Sequence, residues 1–216
     1  DVESRGLGDV YKRQLLAVSA SAATTMGGLN VSYRMDGENV VETIIFSGAT
    51  MIRTITPTGT MIIKTIENGS TSTAKVNADY SVYKKIYEAQ YGVATTGSEV
   101  TGSQYKHRYV GTPGPVTITK QEIVQCRTAA ALAKKILKKS SIPALVAFSV
   151  AEYMLGKAVD TTTYEKVVVN SRTYEVLFTH DNSYYTHCYH QTMSYYNSGA
   201  STPFRTDTDY YQAVGG

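Results

Sequence analysis

The sequence lacks tryptophan, holds only two cysteines and contains no long apolar run. Two cysteines permit at most one internal disulfide, which excludes a small disulfide-framework protein. A membrane-spanning helix needs about 18 to 20 mostly apolar residues in succession, and no segment supplies them. The formal net charge of +3 over 216 residues is too weak to favour nucleic acid as a partner.

Tyrosine is the aromatic residue that the sequence has in abundance. The chain contains 18 tyrosines but only four phenylalanines. Tyrosine has a high strand propensity and tolerates half-exposure, so this bias favours β-sheets with a solvated face. Charged residues make up 18% of the chain and hydrophobic residues 42%. That balance is typical of a globular domain rather than of a disordered chain.

The first residues need separate treatment from the rest of the chain. The segment "GLGDVYKRQ" (residues 6–14) resembles translated read-through of a sequencing adapter. The run "LLAVSASAATT" (residues 15–25) follows, with a small-x-small pattern at residues 20–22 that signal peptidase accepts. We interpret residues 1–22 as this artefact plus a signal-peptide remnant, the alternative being an Ala/Ser-rich terminus. We therefore expect a secreted or cell-surface protein with a single domain over residues 23–216.

Regularly spaced glycines divide the next part of the chain. From residue 39 to residue 77, four runs rich in Val, Ile and Thr are separated by Gly48, Gly59 and Gly69. Short runs of this composition with Gly-containing turns at ten- or eleven-residue intervals are typical of successive β-hairpins. The pattern predicts an antiparallel β-meander.

Two helices are predicted in the middle of the chain. Thr119 and Glu122 have the spacing of a capping box, which predicts the start of a continuous amphipathic helix. Pro143 then marks the start of a second helix that is apolar nearly all round and closes at Gly156. We expect this helix hairpin, 119–156, to be buried against a sheet. The alternative is a membrane-active insert of the bacteriocin-like or pore-forming kind.

The remaining segments complete the predicted architecture. A short helix is expected from Asp79 to Gly92, and two edge strands at 105–110 and 116–118 are expected to pair with each other. Further strands are predicted at 164–169, 174–180, 184–196 and 210–214. The predicted fold class is therefore α+β, with an antiparallel β-meander and C-terminal β-hairpins covered by a helical hairpin.

Three of the four histidines lie in the segment "THDNSYYTHCYHQT", residues 179–192. A two-residue turn at Asp181-Asn182 would place Val176 opposite His187, with His187 and His190 on opposite faces of a hairpin. A zinc site needs three or four converging ligands. Cys188 and His190 share a face, but no third ligand is visible. The sequence therefore predicts no metal site and no cofactor.

The same register bears on whether the two cysteines are bonded. It turns Cys188 away from the face of the hairpin that should pack, whereas Cys126 lies on the packing side of its helix. This favours two free thiols. A disulfide, which export would permit, stays open as the alternative.

The sequence lacks the motifs of the common enzyme classes. It has no G-x-S-x-G elbow, no H-E-x-x-H pair and no Gly-rich phosphate loop, so it favours a non-enzymatic role in binding or structure. The candidate ligand-binding residues are Tyr184, His190 and Tyr196, which the two-residue turn would place on one exposed face. Rings at such spacings suit stacking on a cell-wall glycan or contact with another protein. The alternative is that these rings belong to the core.

The signal remnant and the Tyr- and Thr-rich strands are together similar to exported proteins of Gram-positive bacteria. The resemblance is one of composition over the mature chain. It implies a secreted or cell-surface location, and it brings neither an activity nor site residues.

Overall fold

In the computed structural model, the described residues are 24–89, 94–96, 99–112, 114–157 and 164–213. The proposed artefact and signal remnant, residues 1–22, lie outside them. The strands are β1 (Thr24–Met26), β2 (Leu29–Asp36), β3 (Asn39–Phe46), β4 (Ala49–Ile55), β5 (Thr60–Glu67), β6 (Ser70–Asn77), β7 (Ala94–Thr96), β8 (Tyr105–Gly111), β9 (Val116–Thr119), β10 (Lys166–Phe178), β11 (Tyr184–Tyr196) and β12 (Arg205–Ala213). The helices are α1 (Tyr80–Ala89), α2 (Lys120–Gln125), α3 (Ala129–Leu137) and α4 (Ala144–Lys157).

The first sheet is the predicted antiparallel meander, with strands β1 to β6 in sequential order. Gly48 and Gly69 lie in tight turns between strands with φ of 76° and 75°, a conformation that side chains with a Cβ rarely adopt. The sheet begins earlier than predicted, because β1 and β2 precede the first strand of the expected repeat. The α+β class and the meander are thus confirmed.

The second sheet is antiparallel, with strands in the order β7-β12-β11-β10-β8 and β9 also paired with β10. The prediction that β8 and β9 pair with each other is wrong, since both pair with β10. The physical reason is the length of β10. Its 13 residues accommodate β9 along one half and β8 along the other half of the same edge. The two strands predicted at 164–169 and 174–180 are therefore one.

The predicted capping box is present, because Thr119 and Glu122 exchange hydrogen bonds at the start of α2. The prediction of one continuous helix after the capping box is wrong. Helix α2 ends at Gln125, and the backbone of the next residue, Cys126, is extended. Thr128 then caps a new helix by accepting a hydrogen bond from the Ala131 amide at 3.2 Å. A threonine that offers its hydroxyl to the backbone competes with helix continuation. Helix α4 runs one residue past Gly156.

A single hydrophobic cluster combines residues of α3 and α4 with the inner face of the meander and one face of the second sheet. Helix α4 is buried nearly all round, as its composition predicts, and Phe148 is only 2% exposed. The largest fully buried side chains of the cluster come from the meander, the second sheet, α1 and α3: Tyr83, Tyr189, Leu29, Ile44, Met51, Ile55, Met61, Ile63, Ile118 and Leu132.

A buried ion pair joins the meander to the connection between α3 and α4. Glu42 and Arg53 lie directly opposite each other on β3 and β4, and both side chains are fully buried. The Arg53 guanidinium also donates to the carbonyl oxygens of Ser140 and Ile142, at 2.7 and 2.9 Å. Glu42 Oε1 accepts from the backbone amide of Ala144 at 3.0 Å. The pair is thus hydrogen-bonded to the chain on both sides of Pro143.

The β10–β11 hairpin differs from the predicted register by one residue. Val176 lies opposite Thr186, not opposite His187. The connection is longer than two residues: the Phe178 amide donates to the Ser183 carbonyl, and the register shifts between Val176 and Leu177. A bulge of this kind changes which residues face each other.

Both cysteines are free and buried. Cys126 belongs to the hydrophobic cluster. Cys188 lies on the other side of the second sheet. It precedes the core residue Tyr189 along β11, and successive side chains of a strand point to opposite faces. The sheet therefore separates the two thiols.

Candidate functional site on the second sheet

The second sheet has two chemically different faces. One face supplies core residues such as Val169, Tyr189 and Met193 to the hydrophobic cluster. Residues that alternate with these along the strands lie on the opposite face. We call this second side the aromatic face and define it by eight rings: Tyr105, His107, Tyr109, Tyr174, Phe178, Tyr185, His190 and Tyr210.

The rings of the aromatic face contact one another across four strands. Near the β10–β11 turn, Tyr105 is stacked on Tyr185 with ring centroids 4.9 Å apart. Further along, Tyr174 packs against His190 at 4.5 Å, and Tyr210 meets the other side of His190 at 4.6 Å. Tilted and edge-on contacts at these distances add to the stabilisation that burial provides. The rings thus form two groups, one near the β10–β11 turn and one around Tyr174 and His190.

A cluster of two histidines and one carboxylate lies within this face. Glu99 Oε1 is 3.4 Å from His107 Nδ1 and 3.3 Å from His190 Nε2. All three ligand atoms lie within 4.8 Å of one another. The other ring nitrogen of His107, Nε2, hydrogen-bonds the Val100 carbonyl at 2.7 Å. These three side chains could hold a metal ion.

The charge state of His190 suits this geometry. Burial lowers the pKa of His190 below its usual value, although the Glu99 carboxylate opposes the shift. His190 is therefore neutral at pH 7, with a lone pair on one ring nitrogen. The neighbouring thiol of Cys188 has its pKa raised to about 11 by burial, so it is protonated at the same pH.

The three residues singled out from the sequence do not share one face. His190 and Tyr196 lie on the outer side of the sheet, as the alternation along β11 requires. Tyr184 lies on the core side: its hydroxyl is 2.6 Å from His187 Nδ1, and its ring packs against the hydrophobic cluster. The bulge before Leu177 is the physical cause of this separation. Val176, which was expected on the opposite face, lies on the same face as His190.

His187 belongs to a second group of polar residues on the core side. It lies opposite Glu175, and burial lowers its pKa to about 4. Glu175 is itself buried and forms ion pairs with Lys85 and Arg108. These contacts connect α1 and β8 to β10, so the group has a structural explanation.

A cleft of about 810 Å³ lies beyond the end of β8. Its walls come from the β4–β5 turn, the end of β6, the start of α1, residues 111, 112, 114 and 115, and the segment that joins α3 to α4. Asp79 accepts hydrogen bonds from the Ser81 amide and hydroxyl at the start of α1, which places a carboxylate at this helix end. Asp79 and Ser81 are thus engaged with each other.

The sequence reasoning missed Glu99, His107 and most of the aromatic face. Glu99 and His107 precede His190 by more than 80 residues, and the pairing of β8 with β10 that brings them together is not visible in the sequence. One signal was available. Tyr105, His107 and Tyr109 alternate along β8, which indicates a strand with one aromatic side.

None of the helices in the described part of the chain has the length and apolar character to cross a membrane. Comparison of the chain with protein-family models finds no match, and comparisons with curated proteins and with solved structures find none either.

Proposed function

We propose that the protein acts outside the cell, secreted or at the cell surface, as a non-enzymatic protein that binds cell-wall glycan through the aromatic face. The observation that carries the proposal is the set of contacting rings on the side of the second sheet that faces away from the core. Proteins rarely expose large aromatic side chains together without a partner.

The exposure of two rings supports binding on this face: Tyr185 lies near the β10–β11 turn, and Tyr109 lies further along β8, opposite Tyr174. Tyr109 is 56% exposed and Tyr185 is 39% exposed. Tyr185 is held in place by Tyr105 and Phe178, whose rings lie 4.9 and 5.3 Å from it. Rings that are fixed before binding lose little conformational entropy when a ligand stacks on them.

Glycan fits this surface better than a protein partner does. Sugar rings have apolar C–H faces and hydroxyl edges, and tyrosine offers an apolar ring with a polar hydroxyl in the same way. Polar and charged groups border the exposed rings, among them Lys106, His180 and Asn182. An interface between proteins is expected to have a more apolar centre.

We further propose that the helical hairpin acts as a cover for the β-sheets rather than as a membrane insert. Support comes from the burial of α4 and from the hydrogen bonds that connect Arg53 and Glu42 to the backbone at Ser140 and Ala144. A membrane insert would have to break this buried ion pair, since its partners lie on both sides of the α3–α4 connection.

The experiment is co-sedimentation with insoluble peptidoglycan, using the wild type and the variants Tyr109→Ala and Tyr185→Ala. Each variant is expected to weaken binding by about 5- to 10-fold, which corresponds to about 1 to 1.4 kcal/mol. Both rings are exposed, so the melting temperature should change little.

Phe204→Ala provides the matched control, because Phe204 is 49% exposed and lies in the β11–β12 connection, off the aromatic face. It should bind like the wild type. Equal binding by all four proteins would refute the glycan site. Binding to a protein partner but not to the glycan, with the same loss in the two variants, would reassign the face to protein contact.

A further inference from the structure

We infer that Glu99, His107 and His190 form a binding site for a divalent transition-metal ion, with zinc the best match. The inference goes beyond glycan binding and does not depend on it. Two imidazoles and one carboxylate are a ligand set that zinc uses in proteins.

The distances between the ligand atoms agree with one shared ion. Zinc binds nitrogen and oxygen at about 2.0 to 2.2 Å in a tetrahedron, so neighbouring ligand atoms are about 3.3 to 3.5 Å apart. Glu99 Oε1 lies 3.4 Å from His107 Nδ1 and 3.3 Å from His190 Nε2. The three side chains come from two strands and the segment before β8, and all three ligand atoms lie within 4.8 Å of one another.

The nitrogen of His190 that faces the cluster has no other partner. His190 Nε2 is inaccessible to solvent and makes no hydrogen bond among the described residues. Buried polar atoms in native proteins are normally satisfied, so an atom left in this state needs an explanation. A metal ion between it and the Glu99 carboxylate supplies one.

The second nitrogen of His107 also has the contact that a metal-binding histidine requires. Its Nε2 lies 2.7 Å from the Val100 carbonyl oxygen, so Nε2 carries the proton and donates, leaving a lone pair on Nδ1. Metal-bound histidines usually donate their other N–H to a carbonyl or carboxylate, which fixes the ring and its tautomer. Tyr174 and Tyr210 hold the His190 ring from two sides.

Three protein ligands leave a fourth position of the tetrahedron for water or for an oxygen of a bound molecule. Cys188 lies on the same face, two residues before His190, but it is not among the atoms that converge. The site therefore has nitrogen and oxygen donors only.

The first test is a titration of the full chain with Zn²⁺ alone, by isothermal calorimetry in the absence of glycan. His107→Ala and Glu99→Gln should weaken zinc binding by more than about 100-fold, since losing a group that merely orients a ligand already costs roughly 10- to 100-fold. His180→Ala is the matched control, because His180 is exposed and lies outside the cluster. It should leave the affinity unchanged.

Absence of stoichiometric zinc binding by the wild type would overturn the inference, as would an equal loss in the His180→Ala variant. A second measurement uses the wild type only and covers the case in which a variant fails to fold. The Co²⁺ form should show the intense visible bands of a four-coordinate site without a thiolate charge-transfer band. A thiolate band would refute the proposed ligand set. Glycan co-sedimentation plays no part in either result, so the two proposals fail separately.

Discussion

Replacing Arg53 with methionine tests how the meander is joined to the helices. Arg53 and Glu42 are both fully buried, and no water reaches either charge. Arg53→Met leaves the Glu42 carboxylate without its counter-ion and removes the donors to the Ser140 and Ile142 carbonyl oxygens. Breaking a buried pair from one side costs about 3 to 5 kcal/mol, because an uncompensated charge stays in the interior.

This loss is large compared with the whole stability of a domain, which is typically about 5 to 15 kcal/mol. For a chain of this length, about 1 kcal/mol shifts the melting temperature by roughly 2 to 4 °C, so a fall of about 6 to 20 °C is expected. Urea denaturation followed by circular dichroism would give the free energy of unfolding directly. If Glu42→Met is added to Arg53→Met, no charge stays buried. The double variant should then lose less free energy of unfolding than the two single variants added together, by about 1 to 3 kcal/mol.

Arg34→Met is the matched control, since it makes the same substitution in the same sheet. Arg34 forms an ion pair with Asp36, but the side chains are 48% and 66% exposed and the atoms are 3.8 Å apart. Exposed pairs contribute about 0 to 1 kcal/mol. If Arg53→Met costs no more than Arg34→Met, the ion pair does not hold the helices to the meander, and the reasoning is refuted.

Two further predictions concern the core. Burial lowers the pKa of His187 to about 4, whereas in the unfolded chain it is near 6.5. Only the unfolded state takes up this proton between pH 6.5 and pH 4, so stability should fall as the pH decreases through that window, by up to about 3 kcal/mol. In urea titrations, His187→Gln should flatten this dependence of the free energy of unfolding on pH, whereas His180→Gln should leave it unchanged. An unchanged pH dependence in His187→Gln would contradict the burial of His187. Phe148→Asp should abolish cooperative thermal unfolding, because it places an unpaired charge in the core, whereas Val124→Asp at a 61% exposed position should not. A normally folded Phe148→Asp protein would instead favour the membrane-active interpretation of α3 and α4.

The meander could be predicted because its information is local. Each strand pairs with the next one along the chain, and Gly48, Gly59 and Gly69 mark the turns at a fixed spacing. The capping box at Thr119 is equally local. The buried ion pair also leaves a trace, because Glu42 and Arg53 each interrupt a row of apolar residues on one face of a strand.

The second sheet could not be predicted to the same extent, because its pairings are long-range. Strands β8 and β9 share one edge of β10, and their sequences favour this pairing no more than pairing with each other. The candidate site could not be predicted for the same reason, since Glu99 and His107 lie near His190 only because β8 and β11 both pair with β10. The histidine register was wrong by one residue because a bulge and a five-residue connection replaced the two-residue turn expected at Asp181.

The measurement that tests the central claim most directly is an NMR titration of the ¹⁵N-labelled protein with a soluble peptidoglycan oligosaccharide. If the aromatic face binds glycan, the perturbed amides should cluster on β8, β10 and β11 around Tyr105, Tyr109 and Tyr185. Amides around Tyr80 and Lys139, which line the cleft beyond the end of β8, should stay unchanged. Perturbations confined to the cleft, or none at saturating oligosaccharide, would contradict the proposed function.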